Sequence, residues 1–308
     1  MHISRSPHRL GQPSAVTIGS FDGVHLGHQH LIAEVLREAK QRGLTSTVVT
    51  FEPQPREFFD PEGAPARLSS LTDKVRRFRE LGVEQLVVLP FDRRLRSMSA
   101  ADFVEQVLLE GLQARWVQVG DDFRFGNDRK GDAAFLRQYD FDVAEMPSQR
   151  INGHRVSSTA IRSLLGNGQL TEATAMLGEP YTLSGRVIYG RQLGRTLGVP
   201  TANILLAHPK LAMAGVYVVQ VRLNNEWVPG VANLGPKPSV NDLRNWLEVH
   251  LFDVSPDLYG QRLDVQVLHR LRGIERFDTL DALKTQIHAD IQAARAWFSP
   301  SDGSDRAP

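Results

Sequence analysis

Cysteine is absent from all 308 residues. Disulfides, thiolate metal sites and thiol nucleophiles are excluded together. Any chemistry must come from oxygen, imidazole or amine groups. No run approaches the roughly 20 apolar residues that a membrane-crossing helix needs. Residues 1–14 carry His, Arg and Pro without an apolar core of signal-peptide length. The expectation is a soluble, cytoplasmic protein with no membrane partner. A surplus of either charge is also missing, since 36 basic residues face 35 acidic ones for a net +1. Dedicated nucleic-acid binders carry a large basic excess, so no nucleic-acid partner is expected. There is no internal repeat and no G-x-x-x-x-G-K-[ST] phosphate loop.

What is present fits two globular domains, because this length is long for one. The first half alternates short apolar runs with helical spacing. Strand-like runs at 15–19, 45–51, 85–90, 115–120 and 141–145 alternate with helical patterns at 28–42, 72–80, 100–110 and 131–138. Two short helices, 158–165 and 169–176, follow. This alternation predicts a parallel sheet covered by helices, with ligands at the carboxyl ends of the strands. After a linker at Leu177-Gly-Glu-Pro180 the pattern changes. Six short strands, near 182–190, 201–206, 215–222, 226–234, 246–252 and 262–269, predict a small antiparallel barrel. One helix over 279–298 closes it, and residues 299–308 read as a disordered tail. The fold class is thus an α/β domain with a Rossmann-like parallel sheet over 1–182, then a six-stranded antiparallel β-barrel with a C-terminal helix over 183–298.

In the first half, Gly19-Ser-Phe-Asp-Gly-Val-His-Leu-Gly-His28 leaves a strand and opens a helix. Helix N-termini favour anions through free N–H groups and the dipole. Gly19, Phe21, Gly23 and Gly27 form a loop that lets the backbone approach phosphates. His25 and His28, three apart, could donate to a phosphate chain and stabilise departing pyrophosphate. In Val156-Ser-Ser-Thr-Ala-Ile-Arg162, Ser157, Ser158 and Thr159 can cap a helix and offer hydroxyls. Arg162 can reach phosphate oxygens. In Gly120-Asp-Asp-Phe-Arg-Phe-Gly126, Phe123 and Phe125 could stack on a flat ring, and Asp122 or Arg124 could meet ribose, phosphate or metal. Phe51-Glu-Pro-Gln-Pro-Arg-Glu57 reads as a loop stiffened by proline.

In the second half, Gly185, Gly190, Arg191, Gly194 and Gly198 belong to a cationic glycine loop suited to phosphate. Thr201 and Asn203, in Pro200-Thr-Ala-Asn203, offer hard oxygens of the kind Mg²⁺ takes along with substrate phosphates. On the strand Trp246-Leu-Glu-Val-His-Leu-Phe252, Glu248 sits on a face with aromatics and could take the proton of an attacking hydroxyl. His250 shares that face and is the rival for the role.

These motifs resemble a known family. His25-Leu-Gly-His28 resembles the H-x-G-H signature of the nucleotidylyltransferase superfamily, and Ser157-Ser-Thr-x-Ile-Arg162 resembles its second phosphate motif. In order with the 51–55 and 120–126 runs, they resemble bacterial FAD synthetase. The second half resembles riboflavin kinase through Pro200-Thr-Ala-Asn203, Gly215-Val-Tyr217, Val231-Ala-Asn-Leu-Gly235 and Leu247-Glu-Val-His-Leu-Phe252. The resemblance implies a bifunctional enzyme. It would phosphorylate riboflavin to FMN and adenylylate FMN to FAD, using ATP and Mg²⁺ in both steps. It implies flavin contacts for Asp122, Phe123, Phe125 and Asn233, Mg–ATP binding for Thr201 and Asn203, and a base role for Glu248. The sequence departs from the family's usual pattern at Gln54, where His is common, at Asp122, where Asn is common, and at Pro236-Lys-Pro-Ser-Val240. Transfer to another phosphorylated acceptor, or flavin binding without turnover, are the alternatives. A synthetase reading is weaker, because no K-M-S-K-S run is present. The oligomeric state is not legible.

Overall fold

The computed structural model describes residues 1–7, 12–127, 129–190, 198–206, 210–236 and 245–299. Its contacts divide the chain into two compact units, Met1–Ala160 and Ile161–Pro308.

The first unit is built on a six-stranded sheet of order β1-β4-β3-β2-β5-β6, all neighbours parallel. The strands are β1 (His2–Ser4), β2 (Ser14–Ile18), β3 (Thr45–Glu52), β4 (Gln85–Pro90), β5 (Ala114–Gly120) and β6 (Asp142–Met146). The central strand β2, Ser-Ala-Val-Thr-Ile, is buried at all five positions, as a parallel strand covered on both faces must be. Helix α1 (Leu26–Arg42) returns the chain to β3. It ends at Gly43 in the left-handed region, with Lys40 and Arg42 in its last turn, the residue types that suit a helix C-terminus. Helix α2 (Pro55–Phe59) replaces the expected stiff loop. Pro55 occupies the first turn, and Gln54 and Glu57 form a reciprocal cap, so proline here starts a helix.

Helix α3 (Leu71–Glu80) opens with a Ser70–Asp73 capping box. Helix α4 (Arg93–Ser97) was not anticipated. Helix α5 (Ala100–Asp102) continues with π-type winding through Phe103–Gly111, in place of one regular helix over 100–110. Helix α6 is shorter than its pattern, Ala133–Leu136. A small hairpin, β7 (Arg150–Ile151) and β8 (His154–Arg155), precedes helix α7 (Ser158–Gly166).

Strand order explains where a ligand can enter. From β2 the chain builds β3 and β4 on one side, then crosses to place β5 and β6 on the other. The connections after β2 and β5 therefore diverge, opening a crevice at their carboxyl ends. The Gly19–His28 loop leaves β2, and the 120–126 loop leaves β5.

The second unit is a closed barrel, β10-β13-β12-β11-β14-β9, with antiparallel neighbours. It follows helix α8 (Leu170–Leu177). Its strands are β9 (Thr182–Ile188), β10 (Ala202–Leu205), β11 (Gly215–Leu223), β12 (Glu226–Pro236), β13 (Asn245–Leu251) and β14 (Arg262–Arg272). Closure removes the edges that would otherwise invite pairing. Val187, Ile204, Leu234 and Leu247 are in register across four strands and buried. The outward-facing Val216, Val218 and Val231 are buried too, because helix α9 (Leu280–Phe298) lays Ile291 and Ala294 over them. The helix packs chiefly on β11, β12 and β14. No described helix is long and apolar enough to cross a membrane.

Candidate functional site

The first constellation sits where β2 passes into α1. His25 is the N-cap of α1, and its Nδ1 accepts the N–H of His28 at 3.4 Å. The two imidazoles stack, with centroids 3.6 Å apart and planes within 15°. Gly27 permits this, since a Cβ there would come within 3.3 Å of the His25 ring. Phe21 meets His28 edge-on at 5.2 Å. Burial, then the neighbouring His25 and Lys74, holds the His28 pKa well below the ordinary histidine value. His28 is therefore a neutral imidazole at neutral pH. Its Nδ1 is buried and has no hydrogen-bond partner among the described residues.

The loop ahead of the histidines is strained. Phe21, Gly23 and Val24 have φ of 49°, 81° and 40°. Such a conformation costs on the order of 1–3 kcal/mol for each non-glycine residue and persists only where the surroundings enforce it. The buried Asp22 carboxylate accepts backbone N–H groups of Leu68 at 3.0 Å and Ser69 at 3.2 Å. Gly23 N–H donates to Ser69 Oγ at 2.9 Å. Ser158 Oγ donates to the Asp22 carbonyl at 2.9 Å, tying α7 to this loop. The expected capping is thereby divided. Ser157 Oγ accepts the N–H of Ala160, Ser158 reaches across to Asp22, and Thr159 is exposed. Arg162 is four residues beyond Ser158 on α7. Gly19 lies under the Phe21 ring.

Across the crevice, Phe125 is buried in the core against Phe103 and Phe135. Phe123 stacks on it at 5.4 Å and stays partly accessible. Asp121 accepts the hydroxyl and N–H of Ser148, and these bonds hold its pKa below the ordinary carboxylate value. Asp122 is exposed and pairs with Arg155 at 2.6 Å. Arg124 is exposed and turns back to the Phe123 carbonyl. At the end of β3, Arg67 bridges Glu52 and Glu57.

One residue here escaped the sequence reading. Lys74 is fully buried, and its Nζ donates to the Ser20 carbonyl at 3.1 Å. The signal was available: Leu71, Lys74, Val75 and Phe78 share one helical stripe, and a lysine in an apolar stripe needs a buried partner.

The second constellation lies on the outer face of the barrel. Asn203 of β10, Glu248 of β13 and Asn233 of β12 are in register, so three polar side chains form one row across neighbouring strands. Thr201 and Asn203 are two apart, the spacing of one strand face. Asn203 is 6% exposed. Gly190 passes close to it, since a Cβ there would stand 2.5 Å from Asn203 Cγ. His250, the rival base, binds the Pro200 carbonyl through Nδ1 at 2.8 Å. Beside Thr201 a cavity of about 410 Å³ opens, lined among others by Val187, Pro200, Leu251 and Leu258. Tyr189 and Tyr259 stack at its mouth with centroids 3.9 Å apart. Gly185 lies within β9, and Gly198 at a positive φ of 79°. Arg191, Gly194 and the 237–240 part of the loop at 236–240 lie outside the described residues, as do positions 300–308 of the expected tail.

An α/β unit with a histidine pair at its switch point and a barrel with a polar row on its outer face define a two-module transferase. The FAD synthetase family model matches residues 8–160, and the riboflavin kinase model matches 177–298. The chain belongs to the bifunctional riboflavin kinase/FMN adenylyltransferase family. It is 45% identical to the protein of that description from Pseudomonas fluorescens, over 98% of this chain and 97% of that one. It is 43% identical to the Haemophilus influenzae protein of the same description, over 97% and 100%. A crystal structure described as a macrolide-efflux protein from Streptococcus pneumoniae superposes with a TM-score of 0.80 at 30% identity, covering 96% of this chain and 98% of that one.

Proposed function

We infer that this chain phosphorylates riboflavin to FMN and then transfers an adenylyl group from ATP to FMN, giving FAD and pyrophosphate. The observation that carries the reading is the presence of two separate constellations, the histidine pair with Ser158 inside the span matched by the FAD synthetase model and the Asn203–Glu248–Asn233 row inside that matched by the riboflavin kinase model. The functional division we propose is 1–182 for adenylyl transfer and 183–298 for the kinase.

In the kinase, Glu248 accepts the proton of the ribityl 5′-hydroxyl as that oxygen attacks the γ-phosphorus of ATP. The bond from the γ-phosphorus to the β,γ-bridging oxygen breaks and ADP leaves. Glu248 is preferred over His250 because it stands in register with Asn203 and Asn233 in the polar row. Thr201 and Asn203 carry neutral oxygens two residues apart, donors of the kind Mg²⁺ takes along with water and phosphate oxygens. When bound, the cation would neutralise phosphate charge. Gly185, Gly190, Arg191, Gly194 and Gly198 are assigned to the phosphate loop, and Asn233 to the flavin. The cavity beside Thr201 has the mixed apolar and aromatic lining that suits a nucleotide base.

In adenylyl transfer, an FMN phosphate oxygen attacks the α-phosphorus of ATP. The bond from the α-phosphorus to its bridging oxygen breaks, and pyrophosphate takes the charge. No side chain acts as nucleophile, so catalysis is positioning and charge stabilisation. Neutral His28, with its Nδ1 buried and partnerless, is best served by a proton on Nε2, free to donate to a phosphate oxygen. His25, Ser158, Thr159 and Arg162 are the further phosphate-directed groups, with Gly19, Phe21, Gly23 and Gly27 shaping the loop. Asp122, Phe123 and Phe125 are assigned to the flavin. Phe123 offers the accessible ring, and Phe125 supports it from below. Mg²⁺ is the proposed cation and the cytoplasm the proposed compartment.

The test is to incubate purified protein with riboflavin, ATP and Mg²⁺ and to separate the flavins by chromatography over time. FMN should rise first and FAD after it. FMN alone would leave the first unit with another acceptor. Unchanged riboflavin would sink the kinase assignment.

A further inference from the structure

The loop between β2 and α1 carries three left-handed residues within four positions, 21 to 24. It can present His25 and His28 reproducibly only if something fixes where it starts. Ser20, immediately ahead of Phe21, is held in an unusual way. Its carbonyl accepts the Lys74 ammonium of α3 at 3.1 Å and the Thr50 hydroxyl of β3 at 3.3 Å. Two donors from two elements occupy both acceptor directions of one carbonyl oxygen. The lysine is 0% exposed, a placement lysine almost never takes unless paired. Burying an ammonium is costly, and α3 would lose nothing in helix propensity with an apolar residue there.

The charges around Lys74 mark its place in the first unit. Burial pulls its pKa down, Asp22, Glu52 and Glu57 pull it up, and Arg67 opposes them. The same cation acts on His28, one of three causes of that histidine's neutrality. Lys74 is thus a positive charge set behind the loop that faces the ligand. In a low-dielectric setting a fixed charge acts more strongly than in water and needs no reorganisation when negative charge develops in front of it.

We propose that Lys74 and Thr50 are positioning residues for adenylyl transfer, clamping the Ser20 carbonyl so that the Gly19–His28 loop holds its histidines toward ATP, with Lys74 adding a buried positive charge behind them. This rests on reading that loop as the adenylyl-transfer site.

The experiment compares Lys74→Met and Thr50→Val in the full chain. FAD formation from FMN is followed across pH, and FMN formation from riboflavin serves as the internal control in the same preparations. A misplacement near 1 Å costs about 100-fold, and Lys74→Met should lower kcat for FAD formation by about that factor. The near-isosteric Thr50→Val removes one neutral donor and should lower it by about 3- to 10-fold. Both should leave FMN formation unchanged.

Lys74→Met should also move the acidic limb of kcat/KM for FAD formation to higher pH. Without the cation His28 takes up a proton more readily, while His25, Asp22, Glu52, Glu57 and Arg67 are untouched. Thr50→Val keeps the cation and should leave that limb in place. A Lys74→Met protein with an unmoved acidic limb overturns the proposal, as does Thr50→Val with wild-type kcat. If Lys74→Met does not fold, Thr50→Val decides alone. The underlying reading fails separately, if His28→Ala retains FAD formation.

Discussion

At the scale of single residues, the two reactions should separate cleanly. Glu248→Gln removes a carboxylate but keeps its shape, so FMN formation from riboflavin should fall by about 100- to 10,000-fold, the usual worth of a general base. FAD formation from added FMN should persist. His28→Ala should do the reverse. Product analysis from each single substrate checks both, and a substitution that stopped both reactions in folded protein would refute two sites. Gly190 offers a finer test. An added Cβ would strike the Asn203 amide at 2.5 Å, and Asn203 is too buried to swing away. Gly190→Ala should raise the kinase KM for ATP by about 10-fold or more, since about 1.4 kcal/mol of lost binding is tenfold. Initial rates at varied ATP measure this, with FAD formation as the unaffected control. The histidine pair and Glu248 were legible as residue types at a spacing. The His25 N-cap role and the ring stacking were not, because both depend on where α1 begins.

Elements carry the constellations, and their attachment can be tested. Helix α9 is joined to the second unit by apolar contacts and by ion pairs, of which Arg272–Asp290 is the more buried. Arg272 donates to both carboxylate oxygens of Asp290, at 3.0 and 2.8 Å, and Gln286 supports the same carboxylate at 2.9 Å. Asp290 is almost fully buried. Removing one partner of a buried pair leaves an uncompensated charge, which costs on the order of 3–5 kcal/mol. Asp290→Ala should therefore destabilise the second unit by about 3 kcal/mol. Denaturant unfolding followed by tryptophan fluorescence would report it, since Trp297 lies on α9. The apolar stripe of α9 was readable from spacing alone. Its electrostatic anchor was not, because Arg272 and Asp290 lie on different elements and only the packing of α9 on the barrel joins them. Strand positions were read well in the second half because each strand is short and bounded by Gly, Pro or Asn. Helix α2 was missed because two prolines in Pro53-Gln-Pro55 look like a stiff loop until the cap on Gln54 is seen.

For the whole molecule, the proposed reading assigns the two reactions to different groups, His25 and His28 for one and Glu248 for the other. A protein inactive only in the kinase and one inactive only in adenylyl transfer should therefore complement each other. Mixing Glu248→Gln with His28→Ala protein, with riboflavin and ATP, should restore FAD formation after a lag while FMN accumulates. Chromatography of the mixture against each variant alone is the measurement. No FAD in the mixture would mean that FMN made by one chain does not reach another.

Alternation of strand and helix, six short strands and the ligand-edge motifs were determined by the sequence by itself, because periodicity and turn residues act locally. The family resemblance followed from those motifs. Tertiary structure alone decided which motifs meet. Parallel pairing with β2 at the centre puts the loops after β2 and β5 at one crevice. Antiparallel register brings Asn203, Glu248 and Asn233 into one row from three strands. Burial decided that Phe125 is a core residue, that Ser158 holds Asp22 and that a lysine stands behind the histidines. Such contacts depend on packing between segments far apart in the chain, and local spacing carries no record of them.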